Sequence, residues 1–255
     1  MTRLSPDSPA VAHGIGLFET LLVVRGQVFH VDEHFRRLAA SCRTLNFPPP
    51  SERTFRAVVA RAAQQSLDEA ALRCLYIATG MDLDDGASWQ LTATTGPIPP
   101  ITLRRRKGAR VITLDRNLAR ALPEHKLTSY AASIVGLRNA IDAGGDEGLF
   151  LDRRGRVLEG TATNVFAVAD STLITAPVKA GILPGIVRAW VLDHASRVGL
   201  EIIERTPTVD ELRNGSFLTS SLTTLVPIVK LDGVACARPG RAFLQLRRMY
   251  TAQRR

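Results

Sequence analysis

The spacing of apolar residues alternates along the chain between the two-residue period of strands and the 3.6-residue period of helices. In "GLFETLLVVRGQVFHV" two apolar runs flank Arg25-Gly26, which predicts a hairpin. Asp32 then stands where a helix cap is expected, followed by Phe35, Leu38, Ala39, Cys42 and Leu45 at helical spacing. "PPPSERTF" breaks the pattern and starts a second helix, expected to reach about Gln65. "ALRCLYIATG" and "WQLTATTG" predict strands. "GPIPPITLRRRKG" is proline-rich and then basic, and is expected to cross from one domain to the next.

The second half begins with a strand, "ARVITLDRN", and a helix expected over 128–143. "GGDEGLFLDRRGRVLEG" predicts a hairpin turning at Arg154-Gly155, and "NVFAVADSTLITAP" another turning near Asp170-Ser171. "GILPG" introduces a helix that sends Ile186, Trp190, Val191, Ala195 and Val198 toward a core. Thr208 to Glu211, "TVDE", has the spacing of a capping box. "SFLTSSLTTLVPIVKLDG" reads as strand, hydroxyl-rich turn and strand. Hairpins outnumber strand–helix–strand alternations, which disfavours a Rossmann arrangement and gives an α+β class. Two domains are expected, a smaller one over 1–108 and a larger one over 109–255.

Composition narrows the function. A chain of 255 residues that is 45% hydrophobic can bury a substantial core, and its first residues carry no apolar stretch that signals secretion. Three scattered cysteines offer neither a disulfide frame nor a metal-ligand spacing, so no metal is expected and a cytoplasmic location fits. Cys42 and Cys74 fall in apolar patterns and are expected to be buried. The net charge of +9 is densest in "LRRRKGAR", Leu103 to Arg110. A nucleic-acid patch is one reading. A solvated strand edge or linker is the better one, because no aromatic interleaving or recognition helix accompanies the charge. The charge also suits a small anionic substrate.

Several residues could carry chemistry. Lys126, in "PEHKLTSY", lies between a proline break and the expected helix; such a lysine is ordinarily a surface charge, but if partly desolvated it can bond a carbonyl covalently. Tyr130 would share its helical face or lie just above it. "GILPGIVR" places glycine and proline just before a helix, whose first N–H groups can receive a phosphate. "LTSSLTT" adds hydroxyl donors, and Arg37 in "HFRRL" could add a guanidinium. Glu159 ends an apolar run and enters a cluster of small polar residues, "EGTATNVF", an unusual seam for a carboxylate. His13 and Arg73 are further possible pocket residues.

Taken together and in this order, the Lys126-to-Tyr130 segment, "DEGLFLDRRGRVLEGTATNVF" and "GILPGIVR" resemble the class IV (fold-type IV) pyridoxal-phosphate enzymes. That family includes branched-chain aminotransferases, D-amino acid aminotransferases and aminodeoxychorismate lyases. The resemblance extends from "GIGLFETLLVVRGQVFHVDEHFRRL" to "FLTSSLTTLVPIVKLDG", most of the chain. It implies a two-domain, hairpin-rich fold and pyridoxal 5'-phosphate as cofactor. By resemblance Lys126 matches the lysine that forms the imine with the cofactor, and Glu159 the acid that hydrogen-bonds the pyridine nitrogen. Arg37 matches the phosphate-binding arginine, Ile186 and Val187 the backbone donors at the phosphate, and Ser220 and Ser221 the phosphate-side turn. Tyr130 lies close to the family tyrosine at the phenolic oxygen. The small residues of "GTAT" would then leave room for a flat cofactor near the backbone.

The shared motifs do not choose a reaction. The compact chain favours 4-amino-4-deoxychorismate lyase, which releases 4-aminobenzoate and pyruvate in the folate pathway. The alternative is transfer of an amino group from a branched-chain or D-amino acid to a 2-oxo acid. The chain departs from the family at "SPAVAHGIG", in place of the usual entry to the first strand, and at "IATG", which lacks an arginine before the glycine. Relatives are homodimers, so a homodimer is expected; neither a nucleic-acid nor a membrane partner is. A basic nucleic-acid-binding protein is the distant alternative.

Overall fold

The computed structural model describes residues 4–64, 68–80 and 88–253. Two compact units result: one of residues 1–98 with His125–Tyr130, the other of Pro99–Glu124 with 131–255.

The first unit opens with a short helix α1 (Pro9–Ala12), then strands β1 (Gly16–Val24) and β2 (Gln27–Val28), helices α2 (Val31–Thr44) and α3 (Glu52–Ala63), and strands β3 (Ala70–Ala78) and β4 (Trp89–Pro97). The strands form an antiparallel sheet in the order β2-β1-β3-β4. Leu17, Leu21 and Val23 leave one face of β1 and pack with Leu38 and Cys42 of α2 and Phe55 and Val59 of α3. This is the two-residue period meeting the helical one. Cys42 and Cys74 are buried there, and burial pushes their thiols up to about 11 and about 12.

Two boundaries differ from the sequence reading. The cap of α2 is His30, in the left-handed region at φ 57°, so Asp32 falls in the first turn beside Glu33. A carboxylate there still suits the positive end of the helix dipole, which is why the two positions look alike in sequence. The second helix ends at Ala63, and Gln65 lies outside the described residues.

The second unit comprises helix α4 (Pro100–Arg105), strand β5 (Ala109–Thr113), helix α5 (Ala131–Asp142), strands β6 (Glu147–Leu151), β7 (Val157–Gly160), β8 (Asn164–Ala169) and β9 (Thr172–Thr175), helix α6 (Ile186–His194), strand β10 (Glu201–Glu204), helix α7 (Val209–Arg213), strands β11 (Ser216–Ser220), β12 (Thr224–Leu231) and β13 (Val234–Ala235), and helix α8 (Gly240–Ala252). A nine-stranded sheet runs β10-β9-β8-β11-β12-β5-β6-β7, with β13 paired to β12. Its central strands are apolar on both faces. Phe166, Val168, Phe217 and Leu225 pack with Val187, Trp190 and Val191 of α6 and Phe243 and Leu246 of α8. Their neighbours Val165, Ala167, Leu218 and Val226 pack on the other side with Leu212 of α7. Burial on both faces explains why "NVFAVA" and "SFLT" read as continuous apolar runs. The capping box at Thr208 and Glu211 is formed on both sides.

The helix expected over 128–143 starts only at Ala131. Residues before it are held in extended form along β1: Phe18 N donates to the Lys126 carbonyl and Thr128 N to the Gly16 carbonyl, each at 2.9 Å, and Leu17 pairs with Leu127. A strand partner captures the segment before it can join the helix, so Lys126 and Tyr130 are not on a helical face.

The basic run spans a helix, a short turn and the start of β5, an inner strand of the sheet; Arg104, Lys107 and Arg110 are exposed, but the run is not an edge strand. Its first part is α4, with proline at the start where no N–H is needed. Arg105 is buried and faces buried Glu147 at 3.4 Å. Arg106 grips the Leu222 carbonyl through Nε and Nη2, at 3.0 and 2.6 Å. Arg110 makes a two-point bond to Asp146, at 2.8 and 2.9 Å. Among the described residues, no helix is long and apolar enough to cross a membrane.

Candidate active site

In the first unit, the chemistry is arranged around consecutive residues of β1. Phe18 and Glu19 leave the strand on opposite faces. The Lys126 ammonium sits 4.4 Å from the centre of the Phe18 ring and 5.6 Å from that of Tyr130. The two rings meet edge to face with centroids 5.2 Å apart. Arg73 also lies over Phe18, at 5.2 Å. An aromatic face attracts a cation by about 0.5–2 kcal/mol, so these rings help to place the lysine head. His13, the other pocket candidate, ends α1 as its C-cap.

Glu19, on the other face, is 1% exposed. It accepts from Arg37 Nε at 2.9 Å and Nη2 at 2.5 Å, and from His34 Nδ1 at 2.6 Å. Burial, the largest single influence, pushes its carboxyl up, but the charges and hydrogen bonds of Arg37 and His34 together outweigh it and bring it down to about 2. Burial holds the His34 imidazole below its ordinary value, so it acts as a neutral Nδ1–H donor. One edge of the Arg37 fork is thus committed to Glu19. Glu19 was not among the residues singled out in the sequence; the apolar run around it gives no sign that its carboxylate is paired.

In the second unit, Glu159 lies on β7, opposite Phe150 of β6, and is 3% exposed. Its carboxylate accepts from the Leu183 N–H and from Asn164 Nδ2, each at 3.2 Å, and pairs with Arg120. Asn164 Nδ2 also donates to the Leu183 carbonyl at 3.0 Å. Leu183 belongs to the loop that feeds α6. One amide therefore ties the acid to the approach of a helix N-terminus. At that terminus Gly185 is the N-cap and supplies no capping side chain, and Ile186 and Val187 follow as the first helical residues. A Cβ on Gly185 would lie 1.8 Å from Asn164 Oδ1, so only glycine permits this approach.

The "GTAT" cluster serves the chain's own packing. Glu147, fully buried, accepts from the Thr161 N–H at 3.0 Å, from Thr163 Oγ1 at 3.1 Å and from the Thr161 hydroxyl. A Cβ on Gly160 would lie 2.2 Å from Thr163 Oγ1. The small residues therefore close over Glu147, and space beside Gly160 is taken by protein atoms. Ser220 Oγ donates to Thr223 Oγ1 at 2.8 Å and accepts from the Thr223 N–H at 3.0 Å. Together with Arg106 on Leu222, this fixes the turn that carries Ser220 and Ser221.

These groups match the chemistry of pyridoxal phosphate. Within the first unit an amine is held by aromatic faces; within the second, taken by itself, a buried carboxylate can meet a protonated ring nitrogen, and a helix start and a hydroxyl turn can take a phosphate. Lys126 is brought to Tyr130, and Glu159 to the approach of Ile186 and Val187. Arg120, Asn164 and Glu147 were missed in the sequence. Only the "TN" after "EGTA" hinted that side chains there needed partners.

The family model described as amino-transferase class IV matches residues 16–231. A putative branched-chain-amino-acid aminotransferase of Methanocaldococcus jannaschii is 32% identical over 241 residues, covering 91% of this chain and 83% of its own. A bifunctional aminodeoxychorismate lyase / D-amino acid transaminase of Mycobacterium tuberculosis is 31% identical over 255 residues, covering 91% of this chain and 87% of its own. Among solved structures, a hypothetical aminotransferase from Mycobacterium tuberculosis in its PLP-bound form superposes with a TM-score of 0.88 at 30% identity, covering 100% of this chain and 95% of that one. The chain belongs to the class IV aminotransferase family, with the fold-type IV architecture expected from its motifs.

Proposed function

We propose that this protein eliminates pyruvate from 4-amino-4-deoxychorismate, leaving 4-aminobenzoate, a step of folate synthesis. It is a pyridoxal-phosphate-dependent enzyme of the class IV family. When bound, the cofactor accepts the electron pair left at a substrate carbon when a bond to that carbon breaks. Lys126 would hold the cofactor's aldehyde carbon. Once displaced by the substrate amine, it would take a proton from the substrate and return one as general acid and base. The Phe18 and Tyr130 rings lie beside its head group and would restrict where it delivers a proton. Glu159 would hold the proton on the ring nitrogen, through a charge-assisted hydrogen bond of about 1.5–3 kcal/mol. The N–H groups of Ile186 and Val187, with Ser220, Ser221 and Arg37, would take the phosphate, and Tyr130 the phenolic oxygen.

The observation that carries this reading is the Asn164 bridge. It fixes a buried acid and the approach to a glycine-capped helix start in one rigid piece. The choice of lyase is supported by the M. tuberculosis relative, which bears that name across most of its length. Transamination of a branched-chain or D-amino acid is the second reading. It is favoured by the name of the M. jannaschii relative and by the second activity in the M. tuberculosis name. A homodimer acting on a small anionic substrate belongs to both.

The test supplies the purified protein and cofactor with aminodeoxychorismate and, separately, with D- or L-amino acids plus a 2-oxo acid. Release of 4-aminobenzoate and pyruvate supports the lyase; amino transfer without that release replaces it with the second reading. Lys126→Ala is expected to abolish the visible absorbance of bound cofactor. An intact band in that variant would sink the role of Lys126.

A further inference from the structure

Glu159 has a second charged partner that the chemistry above does not use. Arg120 lies in the irregular segment between β5 and α5, and its side chain is 12% exposed against 4% for Glu159. The guanidinium is held by contacts that include the following. Nη2 pairs with Glu159 Oε1. Nη2 also donates to the Pro123 carbonyl at 3.2 Å. The planar head lies over the Phe150 ring, 5.7 Å from its centre. Phe150 is itself the cross-strand neighbour of Glu159. The strand pair that presents the acid thus also supplies the surface on which the arginine rests.

A carboxylate that shares its charge with a guanidinium is a weaker acceptor toward any other donor. Burial makes the sharing matter, because little water screens it. We infer that Arg120 is a positioning residue that acts through Glu159, setting how strongly the acid holds a protonated ring nitrogen. The amide of Asn164 and the Leu183 N–H aim the same carboxylate, but both are neutral; the cation is what moderates it. The consequence is a tempered electron sink. The inference rests on the reading that Glu159 faces the cofactor's ring nitrogen, and its test separates the two.

The full-length protein, freed of cofactor, is titrated with pyridoxal phosphate and with its isostere in which CH replaces the ring nitrogen. The preference between the two reports the Glu159 bond alone, since a general weakening of the site cancels in the ratio. Removing the charge in Arg120→Gln is expected to raise the preference for pyridoxal phosphate by roughly fivefold or more, the lower end of ordinary coupling between sites. Arg120→Leu, which keeps packing on Phe150, is expected to raise it likewise, and Arg120→Lys to stay within about twofold of wild type. Glu159→Gln is expected to lower the preference and to make it insensitive to Arg120→Gln. A Glu159→Gln preference equal to wild type overturns the reading of Glu159 itself. A lowered preference in Glu159→Gln with none gained in either Arg120→Gln or Arg120→Leu overturns the role of Arg120 alone.

Discussion

Glu19→Gln removes a buried negative charge paired with Arg37 in the interior of the first unit. The carboxyl, 1% exposed, titrates at about 2 in the folded chain, against an ordinary value of 4.5. The difference corresponds to roughly 3 kcal/mol of stability at neutral pH, at about 1.4 kcal/mol per unit. The sign follows from the depressed value: the stabilisation is complete above 4.5 and is lost as pH falls through about 2. A second route gives the same size, since stripping one partner from a buried ion pair costs about 3–5 kcal/mol. Glutamine keeps the shape and a carbonyl acceptor but removes the charge that Arg37 and His34 meet. Urea unfolding of both proteins should therefore show the variant about 3 kcal/mol less stable near neutral pH, and only about 2 kcal/mol less near pH 3.5. A difference below about 1 kcal/mol at neutral pH, or one that does not shrink in acid, would refute the assignment of this charge balance.

Two further substitutions probe the second unit. Gly185→Ala places a methyl 1.8 Å from Asn164 Oδ1 and must push that amide off Glu159 and Leu183. Cofactor affinity should fall at least about tenfold and stability by about 1–3 kcal/mol, read by cofactor titration and urea unfolding. Glu147→Gln leaves buried Arg105 without its counter-charge. It should lose about 3–5 kcal/mol in urea unfolding; a neutral effect would show that the ion pair is dispensable.

Much of the element order was legible because it is written locally. The turns at Arg25-Gly26 and Arg154-Gly155, the helical spacing after Val31, and the capping box at Thr208 each depend on residues within a few positions of one another. So does the glycine-capped start of α6, the part of the site most plainly readable in the sequence. The segment from Lys126 to Tyr130 was located by its motif but given the wrong conformation. Its partner is β1, more than a hundred residues earlier, and no local pattern records that pairing.

Charge was the least legible property. Read along the chain, Leu103 to Arg110 is a basic run; in the fold Arg105 meets Glu147, Arg106 the Leu222 carbonyl and Arg110 Asp146. The same holds for Glu19 with Arg37 and for Arg120 with Glu159. By itself the sequence determined much of the element order, the family and the residue types of the chemistry, because periodicity, turns and motif order are short-range. Which carboxylate balances which cation, and what aims Glu159, was decided by tertiary structure alone. Burial gives a charge its worth and its partner, and burial follows from register and packing between residues far apart in the chain.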